Sequence, residues 1–526
     1  PPPPPPPPPP HPFFVSRRRR HPRCSSVSGA RSGVYETYRS LTISAPFPYW
    51  KRGGADLIGA CLIGLSIFGI RGRTGYNPIK VSAAYFCQDA FLNQLGVSPT
   101  FNLLTSVMDD MRPENKYLHL MDEQEAITKA QALLNRPGDA NVSPLAVYRH
   151  AAKADSVQQR RPNVVLIMME SMSAKFMKHF GQSETLTPFL DSLYTRSISF
   201  RNFYSAGIHT NHGLYATLYS FPAMMKRNLM KGSVIPRYSG LPTVLKENGY
   251  YNLFFMTHEG QYDNMNAFFR TNGYDEVFSQ ENYPADKVVN SFGVQDDFLY
   301  DYAIPVLNQR AATGQPFFAT LLSISNHPPY VIPPFFHPKT SEPETQIVEY
   351  ADWALRQFFE EARKQPWFDN TIFVLEGDHG KLVGDAECEL PESYNHIPLM
   401  IYSSRIQPEE KTTFGGQVDI QPTILGLLNI DYLQNNFGVD LLKEERPCMF
   451  YTADNMVVGR NDTLLYLYNY ETQQELTYDI GNGKLNAVPM DDSFLPLKEY
   501  SFSMLQSAEF LVKHGKTLNS IPFTQQ

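Results

Sequence analysis

Short apolar runs alternate with amphipathic stretches along residues 161–428 of this chain. The runs are unbroken, as expected of parallel strands buried on both faces, and they occupy residues 164–168, 198–204, 251–256, 317–323, 371–375 and 398–402. Between them, the apolar spacing predicts helices over residues 188–195, 213–218, 241–248, 296–309, 346–364 and 420–428. Because strands and helices alternate, the pattern predicts an α/β sandwich with a mostly parallel central sheet flanked by helices.

The pattern changes on both sides of this region. Residues 71–160 show helical spacing over 81–95 and 123–134 with interrupting prolines, which predicts a helical linker. Beyond residue 445, short polar and apolar alternations at 464–470 and 475–478 predict a small antiparallel element, followed by a C-terminal helix near 501–514. We therefore expect a catalytic domain over residues 161–445 and a C-terminal subdomain over residues 446–526.

The N-terminal part contains one strongly apolar segment, residues 55–70, with basic residues on both sides. A helix that spans a membrane needs about 20 apolar residues, so this segment predicts a transmembrane helix, complete or partial, with a buried helix as the alternative. Its three glycines are typical of packed membrane helices. Residues 1–54 begin with a proline run and an arginine cluster, so we interpret them as disordered or artefactual and assign them no fold.

Composition and charge narrow the class of protein. Of the 526 residues, 42% are hydrophobic and 13% aromatic, which supplies the core of a large globular domain. The formal net charge is -7 and the body of the chain has no basic stretch interleaved with aromatics, so nucleic acid is not an expected partner. The five scattered cysteines predict neither a zinc site nor a disulfide framework, although Cys388 and Cys448 would be able to pair in an exported domain.

Two of the predicted strands end in side chains that bind metal ions. Glu170 follows the strand at 164–168, and Asp378 and His379 follow the strand at 371–375 between two glycines. Ligands of open α/β sheets gather beyond the carboxyl ends of the strands, where a carboxylate and an imidazole suit magnesium, manganese or zinc. The alternatives are that Glu170 caps a helix beginning near residue 171 and that Asp378 and His379 form a turn.

A third candidate is Thr210, which follows the strand at 198–204 and precedes a helix. A threonine there is commonly an N-cap. The start of a helix also offers backbone donors and a positive dipole to a phosphoryl group. A threonine hydroxyl is a poor nucleophile until a cation lowers its pKa. A metal held by Glu170, Asp378 and His379 would meet that need.

These residues belong to an ordered set of motifs. In chain order they are Pro162-Asn163, Glu170-Ser171, Thr187-Pro188-Phe189-Leu190, Thr210, Ser325-Asn326-His327, Gly377-Asp378-His379-Gly380, His396-Ile397-Pro398-Leu399 and Gln417-Val418-Asp419-Ile420-Gln421-Pro422-Thr423. Over residues 161–441 the chain resembles the lipoteichoic acid synthase-like group of the alkaline phosphatase and sulfatase superfamily. The resemblance implies a membrane-anchored enzyme with an extracytoplasmic catalytic domain.

The resemblance also implies roles for the matching residues. Glu170, Thr210, Asp378 and His379 are expected to bind one divalent cation, manganese first and magnesium or zinc as alternatives, with Thr210 as the nucleophile. His258 and His327 each follow an apolar strand, so both are expected at the same rim of the sheet, where the family has phosphate-contacting residues. The alternative for each is a buried structural histidine.

The region after His258 departs from the family pattern. Synthases of this group have an arginine shortly after this histidine, whereas this chain has Asp263 and Asn264, with no arginine until Arg270. This departure counts against recognition of glycerol phosphate, and we expect Asp263 and Asn264 to bind a different head group. We add Asn211, which follows the candidate nucleophile, to the substrate-binding residues.

The sequence predicts a membrane-bound, metal-dependent phosphotransferase. It would move phosphoglycerol, or phosphoethanolamine, from a phospholipid donor to a glycan or lipid acceptor through a phosphothreonine intermediate. The alternative is a sulfatase or a phosphodiesterase of the same superfamily. Sulfatases carry a Cys/Ser-x-Pro-x-Arg motif, and no such motif follows the strand at 198–204. A catalytically inactive relative would be expected to lack one of the four ligand residues, and all four are present.

Overall fold

The computed structural model describes residues 49–74, 78–87, 90–112, 116–135, 147–151, 161–232, 235–481 and 483–519. The α-helices are α1 (Tyr49–Arg71), α2 (Ala90–Leu95), α3 (Pro99–Asp110), α4 (Glu123–Leu134), α5 (Pro188–Tyr194), α6 (Thr210–Tyr219), α7 (Leu241–Glu247), α8 (Met265–Thr271), α9 (Asp296–Ala311), α10 (Pro343–Ala362), α11 (Ile420–Leu427) and α12 (Leu495–Lys513). The strands are β1 (Tyr148–Ala151), β2 (Asn163–Met169), β3 (Ile198–Tyr204), β4 (Tyr251–Met256), β5 (Glu276–Phe278), β6 (Phe317–Leu322), β7 (Thr371–Gly377), β8 (Leu399–Tyr402), β9 (Glu409–Gly416), β10 (Tyr432–Asn435), β11 (Met449–Thr452), β12 (Met456–Arg460), β13 (Leu464–Asn469), β14 (Gln474–Gly481) and β15 (Lys484–Ala487).

An eight-stranded sheet in the order β5-β4-β6-β2-β7-β8-β3-β9 forms the centre of the protein. Its pairings are parallel except for those of β8, which runs antiparallel to β3 and β7. Because β2 lies between β6 and β7, its residues are covered on both sides by neighbouring strands. The predicted α/β sandwich with a mostly parallel sheet is confirmed.

Alternate residues of β2 point to opposite faces of the sheet, as the two-residue period of a strand requires. Val164 and Leu166 pack into a core shared with α6, α7 and α11. Val165 and Ile167 pack into a second core with α5, α9 and α10. Both faces are therefore apolar, which is why the run is unbroken in sequence.

The predicted elements between residues 161 and 428 are present, with ends that differ by three residues or fewer. The sequence missed the short strand β5 and the edge strand β9. Strand β9 reads Glu-Glu-Lys-Thr-Thr-Phe-Gly-Gly, and the side chains of its first half are largely exposed, so it has no apolar run to detect. Its strand conformation comes from parallel pairing with β3.

The linker is less helical than predicted. Residues 81–95 divide into a 3-10 turn over Val81–Ala84 and helix α2, because the side chain of Asn93 binds the backbone of residues 86 and 87 between them. Helix α3 was not predicted, and residues 148–151 form a strand that pairs with β10. Helix α4 occupies residues 123–134 as predicted.

The C-terminal region forms a five-stranded antiparallel sheet, β11 to β15, and helix α12. The sequence predicted two of these strands, β13 and β14, and placed the helix six residues too late at its start. The thiols of Cys388 and Cys448 are both free, so the disulfide that an exported domain would permit is not formed.

The chain divides into two compact units, residues 1–79 and residues 80–526. In the first unit, α1 begins at Tyr49, six residues before the predicted segment, and residues 53–71 are long and apolar enough to cross a membrane, with a mean hydropathy of 1.8. The side chains of that stretch are not buried, which argues against the alternative of a core helix. The interpretation of residues 1–54 as disordered or artefactual is wrong for residues 49–54, which belong to α1, and for residues 1–48 it lies outside the described residues.

Candidate active site

The carboxyl ends of β2 and β7 are neighbours in the sheet, and they bring three candidate ligands together. Glu170 follows β2, and Asp378 and His379 follow β7. One ligand atom from each of these residues lies within 4.8 Å of the others. The imidazole Nε2 of His379 lies 3.6 Å from Asp378 Oδ2 and 3.8 Å from Glu170 Oε1. The juxtaposition expected from the two strand ends is therefore present.

The alternative that Glu170 caps a helix does not match the local geometry. The first helical turn after Glu170 is a 3-10 turn over Ala174–Phe176, and its N-cap is Ser173. The next turn begins only at Lys178, so Glu170 caps no helix. Asp378 Oδ1 accepts hydrogen bonds from the backbone N–H of Ser171, at 2.8 Å, and from that of His379, at 2.7 Å. Asp378 thereby connects the ends of β2 and β7.

Thr210 lies beside Glu170. It is the first residue of α6, its N-cap is His209, and its hydroxyl donates to Glu170 Oε2 at 3.4 Å rather than serving as a cap. Gly213, one turn into the helix, allows this approach, because a Cβ at that position would lie 2.3 Å from the carbonyl oxygen of Asp378. Four side chains from three strand ends therefore meet at one place.

Two buried carboxylates at this place carry an electrostatic cost. Burial and the adjacent Asp378 carboxylate raise the pKa of Glu170 well above its ordinary value. Asp378 Oδ2 is buried and has no hydrogen-bond partner within the described parts of the chain. A buried carboxylate oxygen normally accepts a hydrogen bond or coordinates a metal ion. Because Asp378 Oδ2 accepts no hydrogen bond from the described residues, it fits a cation site.

His258 and His327 follow β4 and β6, two neighbouring strands on the other side of β2. The ring Nδ1 of His258 lies 3.3 Å from the carbonyl oxygen of Glu259, and that of His327 lies 2.7 Å from the carbonyl oxygen of Pro328. Nδ1 of each ring therefore carries the proton, which leaves Nε2 available as an acceptor. Burial lowers the pKa of His258 to about 4 and also lowers that of His327.

Asp263 contacts the residue that follows the candidate nucleophile, and Asn264 bonds to a neighbouring loop instead. Asp263 Oδ2 accepts a hydrogen bond from Asn211 Nδ2 at 3.3 Å, and its Oδ1 forms an ion pair with Lys231 at 2.7 Å. The Asn264 side chain donates to the carbonyl oxygen of Met230 at 3.0 Å, which is a structural bond to a neighbouring loop. Both residues have positive φ values, 45° and 68°, so this turn is held in an uncommon conformation.

Sequence reasoning missed one basic residue at this site, Lys381. Its Nζ donates to Asn326 Oδ1 at 2.6 Å and to the hydroxyl of Tyr330 at 3.2 Å. Asn326 in turn donates to the carbonyl oxygens of Glu170 and Ser171. Burial lowers the pKa of Lys381 to about 8, although Glu170 opposes the shift. The signal was its position, the first residue after the Gly-Asp-His-Gly motif.

The comparisons with known proteins agree with this geometry. The family model described as Sulfatase matches residues 162–430. The chain therefore belongs to the sulfatase family, and the resemblance inferred from its motifs is confirmed.

Curated relatives are more specific. Lipoteichoic acid synthase 1 of Bacillus subtilis (strain 168) is 25% identical over 350 residues, which cover 61% of this chain and 53% of that protein. Lipoteichoic acid synthase of Staphylococcus saprophyticus is 24% identical over 367 residues, covering 63% of this chain and 54% of the relative. The chain thus spans about half the length of the curated relatives it matches.

Solved structures confirm the fold. A protein of the alkaline phosphatase superfamily from Vibrio parahaemolyticus is 26% identical with a TM-score of 0.68, over 76% of this chain and 98% of that one. The lipoteichoic acid synthase LtaP from Listeria monocytogenes is 19% identical with a TM-score of 0.59, over 74% of this chain and 98% of that one. The chain is an enzyme-type member of the sulfatase and alkaline phosphatase superfamily.

Proposed function

We propose that this protein is a membrane-anchored, metal-dependent phosphotransferase that moves phosphoglycerol, or phosphoethanolamine, from a phospholipid to a glycan or lipid acceptor. The observation that carries the proposal is the Thr210 hydroxyl, which lies 3.4 Å from Glu170 in a cluster with Asp378 and His379. The similarity to lipoteichoic acid synthases supports transfer rather than simple hydrolysis.

We assign one divalent cation to Glu170, Thr210, Asp378 and His379, with manganese favoured and magnesium or zinc as alternatives. The orphaned Asp378 Oδ2 and the raised pKa of Glu170 support this assignment, because both are relieved by positive charge. When bound, the cation would supply the charge that lowers the pKa of the Thr210 hydroxyl and offsets charge on the phosphoryl oxygens.

In the proposed first step, Thr210 Oγ1 attacks phosphorus. A bond forms between phosphorus and Thr210 Oγ1, the bond to diacylglycerol breaks, and the head group remains on Thr210 as a phosphothreonine diester. The proton of the Thr210 hydroxyl moves to Glu170 Oε2, which already accepts a hydrogen bond from this hydroxyl. Backbone N–H groups at the start of α6 face the region where negative charge develops.

His258 and His327 are assigned to the phosphoryl oxygens and the leaving alkoxide. A negatively charged group beside the rings raises their pKa, so that Nε2 takes up a proton and donates it to the leaving oxygen. In the second step a hydroxyl of the acceptor attacks phosphorus, and Thr210 leaves with its hydroxyl restored. We assign recognition of the head group to Asn211, Asp263 and Asn264, with Asn264 acting through the loop that it supports.

The lipid donor explains the apolar helix α1, and we place the protein in the cell membrane with residues 161–445 on the extracytoplasmic side. The alternative functions within the superfamily, sulfatase and phosphodiesterase, predict release of sulfate or of a free head group. In the proposed transfer a glycan or lipid acceptor receives the head group, whereas in both alternatives the group is released into water.

The test uses the full chain in detergent with manganese and fluorescent phosphatidylglycerol or phosphatidylethanolamine. We expect metal-dependent release of diacylglycerol, a head group attached to the peptide containing Thr210 after acid quenching, and a loss of about a thousandfold in Thr210→Ala. Thr195→Ala, which removes a hydroxyl bonded only within its own helix end, is the matched control. Turnover of an aryl sulfate without phospholipid turnover would instead identify a sulfatase.

A further inference from the structure

Helix α3 has its polarity reversed for a water-soluble protein. Its large apolar side chains point outward, with exposures of 65% for Leu103, 60% for Leu104, 49% for Val107 and 63% for Met108. These four residues, which we call the outer face of α3, occur at the spacing of one helix face. A soluble helix normally points such residues toward the core.

The polar residues of α3 point the other way. Asn102, Thr105, Ser106 and Asp109 are half-buried. Ser106 and Asp109 line a cavity of about 250 Å³ between α3 and the catalytic domain. The helix therefore has polar groups and a cavity on its inner side and an apolar outer side, as expected of a helix whose outer side faces a solvent less polar than water.

Other large apolar residues close to α3 in sequence are also exposed. Phe86, Leu92, Leu95 and Met111 are exposed by 67%, 45%, 68% and 78%. They lie in the segment that follows α1, which is itself apolar enough to cross a membrane. The exposed apolar residues are thus concentrated in the part of the chain that leaves the apolar helix, which argues for a membrane as the covering partner.

The segment that carries Phe86 and Leu92 belongs to the second unit of the chain and is held there by buried polar contacts. The side chain of Asn93 in α2 is buried and binds the backbone of residues 86 and 87. Tyr85, also buried, accepts a hydrogen bond from Asn266 at its carbonyl oxygen, at 3.0 Å. A membrane that covered the outer face of α3 would therefore hold the catalytic domain in a defined position.

Polar contacts link the cavity behind α3 to the residue that follows the candidate nucleophile. Its lining includes four basic side chains, and each has an acidic partner: Arg112 pairs with Asp109, Lys226 with Glu471, Arg227 with Glu509 and Lys231 with Asp263. Lys231 pairs with Asp263, and Asp263 accepts from Asn211, which follows Thr210. The lining is polar and its charges are balanced, as expected of the side of an interfacial helix that faces away from the lipid.

We propose that the outer face of α3 docks on a lipid bilayer and thereby holds the catalytic domain at the lipid surface. The docking surface stands independently of the proposed chemistry, and only its effect on lipid turnover rests on the proposed function. The occupant is the bilayer rather than a second copy of the chain.

The first test measures contact with lipid. The full chain with Leu104→Trp is reconstituted in phosphatidylcholine and phosphatidylglycerol vesicles, with and without brominated acyl chains. We expect clear quenching of the added tryptophan, measured as the difference from the unmodified chain. The matched control is Leu495→Trp, at an exposed leucine (48%) that starts α12, and it should show no added quenching. Equal quenching at both positions would overturn the proposal.

The second test measures the consequence. We expect the double variant Leu104→Asp/Met108→Asp to lose at least about tenfold in turnover of donor lipid in vesicles, because two apolar side chains no longer favour docking. Turnover of a short-chain, water-soluble donor should be unchanged, and Leu495→Asp should behave as the unmodified chain. Loss of both activities would mean a damaged active site and would contradict the proposal.

The molar mass of the detergent-solubilised chain distinguishes docking on a bilayer from contact with a second copy of the chain. A change from dimer to monomer in the double variant, with vesicle turnover unchanged, would show that the outer face of α3 is an interface between copies and would overturn membrane docking. An unchanged molar mass together with the loss in vesicles supports it.

Discussion

At the scale of single residues, the site is built from groups whose usual charge is opposed by burial. Glu170 and Asp378 are almost completely buried, and the carboxylate of Asp378 contributes to the raised pKa of Glu170. Such a pair is costly alone and favourable around a cation. The four ligand candidates were identifiable from sequence because each stands at the end of an apolar strand or the start of a helix. Lys381 directly follows one of these motifs, but its burial and its contact with Asn326 are not evident from the sequence, since a lysine is ordinarily a surface residue.

His258 should make the stability of the protein depend on pH. Burial lowers its pKa to about 4 from an ordinary value of 6.5, so the unfolded chain binds this proton more tightly than the folded chain. The free energy of unfolding should therefore fall by about 3 kcal/mol from this group as the pH drops from 6.5 to 4. In His258→Gln that contribution should disappear, measured by urea unfolding at several pH values with metal chelated.

His119→Gln is the control for this experiment, because His119 is exposed. We expect its pH profile to match that of the unmodified chain. A His258→Gln profile as steep as the original would mean that this ring is protonated as readily in the folded chain as in the unfolded one.

At the scale of elements, one glutamine holds two parts of the site together. The Gln417 side chain donates to the carbonyl oxygens of Gly377 and Asp378, at 3.0 and 2.8 Å, and accepts from the backbone N–H of Ala206 at 2.9 Å. It thereby joins the end of β7 to the segment before α6. This contact gives a physical reason for the Gln417-Val418-Asp419 motif, which the sequence resemblance included without explaining.

Gly213→Ala tests how closely α6 must approach β7. The added methyl group would lie 2.3 Å from the Asp378 carbonyl oxygen and 2.9 Å from Gln417 Nε2, so α6 must move away. We expect a loss of about 1–3 kcal/mol in the free energy of unfolding. We expect turnover to fall by roughly a hundredfold, because Thr210 moves relative to Glu170.

Gly481→Ala is the matched control, since its nearest contacts would be side-chain atoms at 3.3 and 3.4 Å. Turnover in this control should be unchanged. Full activity of Gly213→Ala would show that the position of Thr210 tolerates displacement of its helix, contrary to its role as nucleophile.

At the scale of the whole molecule, a buried ion pair joins the main sheet region to the C-terminal region. Arg446 Nε lies 3.0 and 2.9 Å from the two carboxylate oxygens of Asp419, which also accept backbone bonds from Val439 and Gly416. Removing one partner leaves a buried charge unpaired. Arg446→Ala should therefore lower the free energy of unfolding by about 3–5 kcal/mol.

The measurement is thermal unfolding followed by circular dichroism and by residual activity. In Arg446→Ala, the midpoints of the circular dichroism and activity transitions should fall together, because the ion pair with Asp419 couples the two regions. In Arg405→Ala, at an exposed position, both midpoints should stay unchanged. An early transition that spares the activity would show that residues 446–526 unfold as a separate domain.

Metal binding should stabilise the whole chain. At a manganese concentration about 100 times its Kd, we expect the free energy of unfolding to rise by about 2.7 kcal/mol over the chelated protein. The rise should be lost in Asp378→Asn and kept in Asp286→Asn, which changes an exposed aspartate. A rise in Asp378→Asn as large as in the unmodified chain would place the metal elsewhere.

The sequence by itself determined the sandwich with its parallel sheet, the strand ends that carry the ligand candidates, and the apolar helix α1. Those features are local, because burial on both faces of a strand and the length of an apolar helix are recorded in consecutive residues. Strand β9, the pairing of β1 with β10, the contact of Lys381 with Asn326 and the reversed polarity of α3 were decided only by the tertiary structure. Each depends on which distant segment, or which solvent, covers a residue, and adjacent positions in the chain do not record that.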